Sequence, residues 1–454
     1  MNDRQEHIKR LEGETELPGD RFLSLRTLIL GSLAQGKSVL KNFSGHAECQ
    51  SAVEILRSLG VEISIQNDTC VIQGRGKQGW QPPANPIEIS ESRNLYGILI
   101  GVLAGQSFES QLKINFLLSD PKLVSLFEKI GARIQFSQNG EGHVLIQPST
   151  LSGGTLELAE LSNHWREAFL FAGLFGKGPL TLVEPEELFN TTENIMRFFQ
   201  VNIEVRTEKQ EDHQDELKRR LARLQRKNSM EKIKGQRLVV IHPSAEWQGV
   251  EATLAGDTFL AHLFMLGALL AEKSKIVLKR ICLNPWRLGI FQILKRMDAQ
   301  VEIISRQESA GEVCGDIQVK HSHLQGRKLS GEIMTRVLEE MPLVALAVAL
   351  ADGKSIIRNI EKLREGQSDR LAFYIRVLRQ VGVRVGELPD GMIVEGRKEI
   401  NGGEIDCKDD LVMGMLMTVL GPFIHDQIVI KNSELIEIQY PGFFQLVHNL
   451  QVKR

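Results

Sequence analysis

The sequence predicts an α/β protein of two similar lobes, each built from three βα-type units. Three observations carry this reading. One phrase recurs six times: an amphipathic helix, a small or polar break, then a short strand of alternating β-branched residues. The six copies fall into two groups of three, with units of about 70–80 residues. The chain has 454 residues, 42% hydrophobic and 25% charged, which is average globular composition and enough for two or three cores. A solenoid needs shorter units, and a doubly wound sheet does not repeat at this length.

The first copies are SAVEILRSLGVEISI (51–65), KLVSLFEKIGARIQF (122–136) and TENIMRFFQVNIEV (192–205). Each helix places apolar residues at i, i+3, i+4 and i+7, and each strand then switches to period two. A charged stretch follows at 206–237, with Asp215/Arg219 and Glu216/Arg220 at i,i+4 spacing. It predicts a helical surface excursion or partly disordered insertion, because its acids cancel its bases. HPSAEWQGVEATLAGD (242–257) passes from strand into loop and a new helix, which places the lobe boundary there. One lobe therefore comprises 1–20 plus 249–454, and the other 21–248 with the insertion at 206–237. The second group is GIFQILKRMDAQVEII (289–304), LAFYIRVLRQVGVRV (371–385) and FFQLVHNLQV (443–452).

Several function classes are excluded early. A net charge of −2 gives no global attraction to nucleic acid, and Trp80, Trp165, Trp247 and Trp286 are too dispersed for a stacking platform. The Gly74-Arg75-Gly76-Lys77 turn reads as a solvated hairpin. The five cysteines, Cys49, Cys70, Cys282, Cys314 and Cys407, are odd in number and form no CxxC, so they read as reduced, buried thiols. His242, His262, His321 and His323 lack carboxylate or cysteine neighbours at ligand spacing, so no metal site is expected. No GxxxxGK[ST] or GxSxG occurs. The N-terminus, MNDRQEHIKRLEGE, has no apolar core of a secretory signal, and the run from Met341 to Ala351 is too short to span a bilayer. The expectation is a soluble, cytoplasmic protein without membrane or nucleic-acid partners.

Pro18-Gly19-Asp20-Arg21-Phe22-Leu23-Ser24-Leu25-Arg26 precedes an apolar helix. A Gly-Asp turn with basic residues at a helix N-terminus suits anion capture, because the unpaired N–H groups and helix dipole favour negative charge. This stretch resembles the PGDKSxSHR motif of 5-enolpyruvylshikimate-3-phosphate (EPSP) synthases. Six further segments resemble that family in its own order. Leu161 to Ala168 is similar to its SAQxKSA helix start, Ala255-Gly256-Asp257 to its second PGD, and Asn284 to Ile290 to NPTRTGI. Leu338 to Pro342 resembles IDExP, Leu363 to Arg370 resembles LRxKESDR, and Tyr440 to Phe444 the closing F-P-x-F-F. The resemblance runs from about residue 17 to 450, apart from the 206–237 insertion.

The resemblance implies an enolpyruvyl transferase fold, inside-out and α/β barrel-like, with three βαβαββ units in each lobe. It implies lobes that close over shikimate 3-phosphate and phosphoenolpyruvate, transfer to the shikimate 5-hydroxyl through a tetrahedral intermediate, and release of phosphate in aromatic amino acid biosynthesis. No metal or organic cofactor is implied, and the family precedent is a monomer. The site residues it carries over are Arg21, Ser24, Arg26, Ser162, His164 and Arg370 for substrate binding, with Glu339 and Glu340 for catalysis.

The reaction demands several cations around two phosphates and a carboxylate, and groups that move protons. Arg21 stands where the family has Lys, and Glu339 where it has Asp. The family's GNxGTxxR loop reads Ser90 to Gly97, with Glu91 where a neutral residue stood and Gly97 at the arginine. The next family arginine falls near Asp120, and no arginine occurs between Arg93 and Arg133. Gly366 and Gln367 replace the Lys and Glu of LRxKESDR. Asp410 and Leu411 replace the His and Arg of GDHRIAM, and Ile438 replaces the final lysine. A charge-assisted hydrogen bond contributes roughly 1.5–3 kcal/mol, so losing five such cations predicts impaired or absent EPSP synthesis.

Two alternatives stay open at this point. Lys113, Arg93 or Arg166 reaching into the cleft would make a working synthase. A cluster of Glu339, Glu340 and Arg370 around a reshaped pocket would make an enolpyruvyl transferase with a different acceptor. A cleft lined by Phe22, Leu25, Phe259, Leu411 and Ile438 with few charges would mark a binding protein.

Overall fold

In the computed structural model, residues 10–89, 92–114, 121–136, 142–158, 163–185, 190–208, 236–243, 246–365, 368–397, 399–424 and 427–452 are described. The N-terminal half carries helices α1 (Arg21–Ser32), α2 (Ala47–Ser58), α3 (Arg93–Leu103), α4 (Pro121–Lys129), α5 (Asn163–Ala172) and α6 (Thr191–Phe198). The C-terminal half carries α7 (Thr258–Leu270), α8 (Gly289–Arg296), α9 (Glu332–Arg336), α10 (Met341–Ala349), α11 (Arg370–Gln380), α12 (Leu411–Leu420), α13 (Glu434–Gln439) and α14 (Phe443–Leu450).

The repeating unit is βαβαββ. In the second unit, strands Ile87–Ile89 and Ser110–Ile114 pair in parallel across α3. After α4, Arg133–Phe136 and His143–Gln147 return as an antiparallel hairpin, and the latter strand pairs with Ser110–Ile114. The third unit repeats the pattern with Gly154–Glu157, Leu180–Pro185, Ile203–Glu208 and Gln236–Ile241. Its last two strands pair antiparallel, so the charged stretch connects two strands of one hairpin. Residues 209–235, with the helical spacings read there, lie outside the described residues.

The first unit of each half borrows its opening strand from elsewhere in the chain. Glu251–Thr253 pairs in parallel with Gln35–Lys41 in the N-terminal half. Reciprocally, Arg10–Glu16 pairs in parallel with Lys275–Cys282 in the C-terminal half and antiparallel with Gln451–Val452. The chain thus crosses twice between two hydrophobic cores. One gathers residues between Leu23 and Ala255 together with Cys282, Ala310 and Cys314, and the other Leu11, Leu17 and most buried apolar residues from Phe259 to Leu450.

One helix of every unit lies at the centre, and composition dictates which. TFLAHLFMLGALL (α7), MPLVALAVA (α10) and LVMGMLMTVL (α12) are apolar on all faces, so burial on every side is their stable solution. In the amphipathic α2 and α8, by contrast, the apolar stripe faces inward and the charged residues other than Glu48 lie towards water. Helices α3 and α5 approach so closely that a Cβ on Gly101 would lie 2.1 Å from the Ala168 carbonyl oxygen. Sheets cover this helical interior, which is the inside-out arrangement expected.

Candidate functional site

The two chain crossings meet at Pro18–Asp20 and Ala255–Asp257. Gly19 and Gly256 bridge antiparallel, with Asp20 N–H donating to Ala255 O at 2.8 Å and Asp257 N–H to Pro18 O at 2.9 Å. A Cβ on Gly19 would lie 1.7 Å from Asn42 O, so only glycine fits there. Asp20 caps α1, its Oδ1 accepting from Phe22 N–H and Leu23 N–H at 2.9 and 3.2 Å. Asp257 caps α7 identically, accepting from Phe259 and Leu260 at 2.8 and 3.1 Å. Each then reaches across with Oδ2. Asp257 accepts from Arg21 N–H and Asp20 from Thr258 N–H, both at 3.3 Å. Two positive helix ends therefore share two buried carboxylates. Burial, and then Asp20, pushes the Asp257 carboxyl above the ordinary carboxylate range.

Cations gather here around one ring. The guanidinium carbons of Arg21, Arg287 and Arg26 lie 4.7, 4.8 and 5.5 Å from the Phe22 centroid. Their partners differ. Arg287 pairs with Asp20. Arg26 is buried in the N-terminal core, donating from Nε to Thr192 Oγ1 at 2.6 Å and pairing with Glu167 at 3.2 Å. Arg21 faces Tyr440, Glu48, Asp257 and Glu339; burial opposes its charge, but these groups prevail and raise its pKa. Among the described residues, Arg21 Nε is buried without a hydrogen-bond partner.

Around Arg21 stand the remaining polar groups. Glu48 pairs with Ser92, the N-cap of α3. Glu340, just before α10, places Oε2 2.9 Å from Nδ1 of His262, a fully buried residue on α7. Among the described residues, His262 Nε2 has no partner. This pair can hold or pass a proton. His46 caps α2, and burial, then Arg21, lowers its pKa to about 3, so its ring is neutral. The His46 ring meets Tyr440 edge-on at 4.5 Å. The cavity between Gly19, His46, Asp257 and Tyr440 measures about 20 Å³, room for roughly one water.

Of the residues singled out from sequence, Arg21, Glu339 and Glu340 come together at this seam. Ser24 is buried, its Oγ accepting from Ser44 N–H at 3.0 Å. Arg370 forms a separate cluster, donating to Tyr374 OH at 2.7 Å and to Asp410 Oδ2 at 3.5 Å, while Tyr374 OH donates to Asp410 at 2.8 Å. Ser162, Glu91, Asp120, Gly366 and Gln367 lie outside the described residues, as does the side chain of His164. Of the three compensating cations considered, Arg93 is exposed at the start of α3. Lys113 pairs with Glu88, both on the exposed faces of their strands, and Arg166 is buried against Glu184 and Glu193. Of the proposed lining residues, Leu25 and Phe259 are in the cores and Ile438 is exposed.

The Arg287–Asp20 and His262–Glu340 pairs were not legible in the sequence. The only signal was the position of Arg287 inside the NPTRTGI-like segment. Among the described residues, no cluster of three or more His, Cys, Asp or Glu side chains could hold a metal ion, and no helix is long and apolar enough to cross a membrane.

A polypeptide of five βαβαββ units and a shorter sixth, whose sheet has two strands among the described residues, with helix N-termini meeting at a seam, has structural counterparts. An EPSP synthase from Acinetobacter baumannii matches with a TM-score of 0.82 at 24% identity, covering 98% of this chain and 97% of that one. The enolpyruvyl transferase NikO from Streptomyces tendae matches with a TM-score of 0.70 at 15% identity, covering 98% and 96%. The fold is that of the enolpyruvyl transferases. The sequence narrows the class. The model of the EPSP synthase (3-phosphoshikimate 1-carboxyvinyltransferase) family matches residues 5–218 and 227–447. The 3-phosphoshikimate 1-carboxyvinyltransferases of Desulforamulus reducens and Desulforudis audaxviator are 30% and 31% identical, each aligned over 98% of both chains. This chain belongs to the EPSP synthase family.

Proposed function

We propose that this chain is a shikimate-pathway protein of two lobes, 1–20 plus 249–454 and 21–248, the first lending strand Glu251–Thr253 to the second. In this reading its cleft binds a small anion through Arg21 and turns over shikimate 3-phosphate and phosphoenolpyruvate far more slowly than an ordinary synthase. The observation that carries the reading is the pairing of the other retained arginines. Arg26 faces Glu167, Arg287 faces Asp20 and Arg370 faces Asp410, so each is already neutralised within the chain. Two phosphates and a carboxylate cannot be held against the charge that is left. Calorimetric titration with shikimate 3-phosphate, with and without phosphoenolpyruvate, tests this. The reading expects weak binding that phosphoenolpyruvate does not strengthen. Tight, mutually reinforcing binding would overturn it.

A second reading is favoured by the His262–Glu340 pair at 2.9 Å, with Glu339 near Arg21. These groups are suited to moving protons in an enolpyruvyl transfer to a less charged acceptor. Phosphate released from phosphoenolpyruvate in the presence of unphosphorylated polyols, but not shikimate 3-phosphate, would support this second reading. A cytoplasmic monomer is the state in which either reading places the protein.

A further inference from the structure

A second cavity lies at the seam, away from Arg21, and the pathway reading leaves it without a role. It has a volume of about 330 Å³, at the small end of ligand pockets, which run from roughly 300 to 1,000 Å³. Both halves build it. Asn190 and Asn194 come from the start of α6, and the opposite wall from residues 283–285, Leu288, Ile303, Arg306 and 311–313. The walls are mostly apolar, formed by Leu283, Pro285, Leu288 and Ile303.

The polar groups in this cavity are out of balance. Glu312 is 3% exposed and Asn284 2%. The Asn284 Nδ2 amide lies 3.0 and 3.2 Å from the two Glu312 oxygens, 2.9 Å from Asn190 Oδ1 and 3.3 Å from Thr191 Oγ1. Its orientation is fixed, because its Oδ1 accepts from Trp286 N–H at 3.0 Å. Three acceptor groups thus converge on an amide that has two hydrogens. Among the described residues, Asn284 is the only donor to the Glu312 carboxylate. A buried carboxylate so weakly compensated calls for a cation or strong donor. The opposite sign is also present: Arg306 lines the same cavity, is exposed, and has no carboxylate partner among the described residues.

We propose that this cavity binds a small α-amino acid with an apolar side chain. Its ammonium donates to Glu312 and Asn190 Oδ1, its carboxylate pairs with Arg306, and its side chain lies against Leu283 and Leu288. A nucleotide or sugar phosphate is too large and carries the wrong charge for the Glu312 end. Because Asn190 belongs to one half and Glu312 and Arg306 to the other, the bound molecule ties the seam together.

Calorimetry and thermal unfolding of the full chain with L-leucine and L-phenylalanine test the proposal. N-acetyl-L-leucine, which lacks the ammonium, and L-leucinamide, which lacks the carboxylate, serve as controls. The proposal expects one or both amino acids to bind and raise the unfolding temperature, and neither control to do so. Glu312→Gln and Arg306→Ala should each weaken binding by about tenfold or more, as loss of a charge-assisted contact does. Arg306 is at the surface, so its variant and the two controls still decide the matter if Glu312→Gln fails to fold. No binding by either amino acid, equal binding by N-acetyl-L-leucine, or affinity unchanged in Arg306→Ala would overturn the proposal.

Discussion

The two cores are made of the same repeating unit, yet they handle charge in opposite ways. The C-terminal core is packed by α7, α10 and α12, which are apolar almost throughout, and its arginines Arg287 and Arg370 pair with the N-cap aspartates Asp20 and Asp410. The N-terminal core encloses a buried ionic network instead. Arg166 pairs with Glu184 at 2.6 Å and with Glu193, Arg237 pairs with the same two carboxylates, and Arg26 with Glu167. Cations that could have served an anion site are thus used to hold helices α1, α5 and α6 to their sheet. Charge spent on architecture is not available to a substrate.

The largest effects are expected inside the network. Glu193→Ala leaves Arg166 and Arg237 buried with one carboxylate between them, and should cost about 3–5 kcal/mol in denaturant unfolding. Replacing Arg166 and Glu193 together with Met and Leu should cost clearly less, because no uncompensated charge remains. If the double variant is the worse of the two, the network is not an electrostatic unit. In the other core, Leu346→Ala on the fully buried α10 should cost about 2–5 kcal/mol by opening a cavity.

At the seam the effects are smaller and fall on binding. Arg21→Ala should weaken shikimate 3-phosphate binding by about tenfold or more and lower the unfolding temperature less than the network variants do, because Glu48, Asp257 and Glu339 lose a facing cation with which no hydrogen bond is broken. A large stability loss with unchanged affinity would assign Arg21 to the architecture as well. His46 acts at the seam through pH dependence, with no effect near neutral pH. Folded, it stays neutral down to about pH 3, whereas unfolded it takes up a proton below its ordinary 6.5. The unfolded chain binds more protons between those values, so stability falls as pH drops from 6.5 towards 3. His46→Asn keeps an acceptor for the α2 cap and should flatten that fall, as followed by thermal unfolding across the range.

Much of the fold was legible in the sequence because it rests on local pattern. The switch from 3.6 to 2.0 periodicity marked all six units, and the all-apolar α7, α10 and α12 could only be interior. The reciprocal exchange of opening strands was not legible, since Arg10–Glu16 meets Lys275–Cys282 across more than half the chain. The candidate site divided along the same line. Arg21, Glu339 and Glu340 were found from motif position. What occupies each cation was not, because the partners are remote: Glu167 for Arg26, Asp20 for Arg287, Glu340 for His262. Arg166 shows the limit most plainly. From sequence it was a cation free to reach the cleft, and the fold buries it against Glu184 and Glu193.

On the proposed reading, the seam carries too little uncommitted positive charge for the family's reaction. Phosphate release from purified full-length protein, supplied with both shikimate 3-phosphate and phosphoenolpyruvate, tests it most directly. The account predicts release at or near the uncatalysed background, unchanged in Arg21→Ala. Sustained turnover at a rate ordinary for an enzyme, abolished by Arg21→Ala, would contradict it.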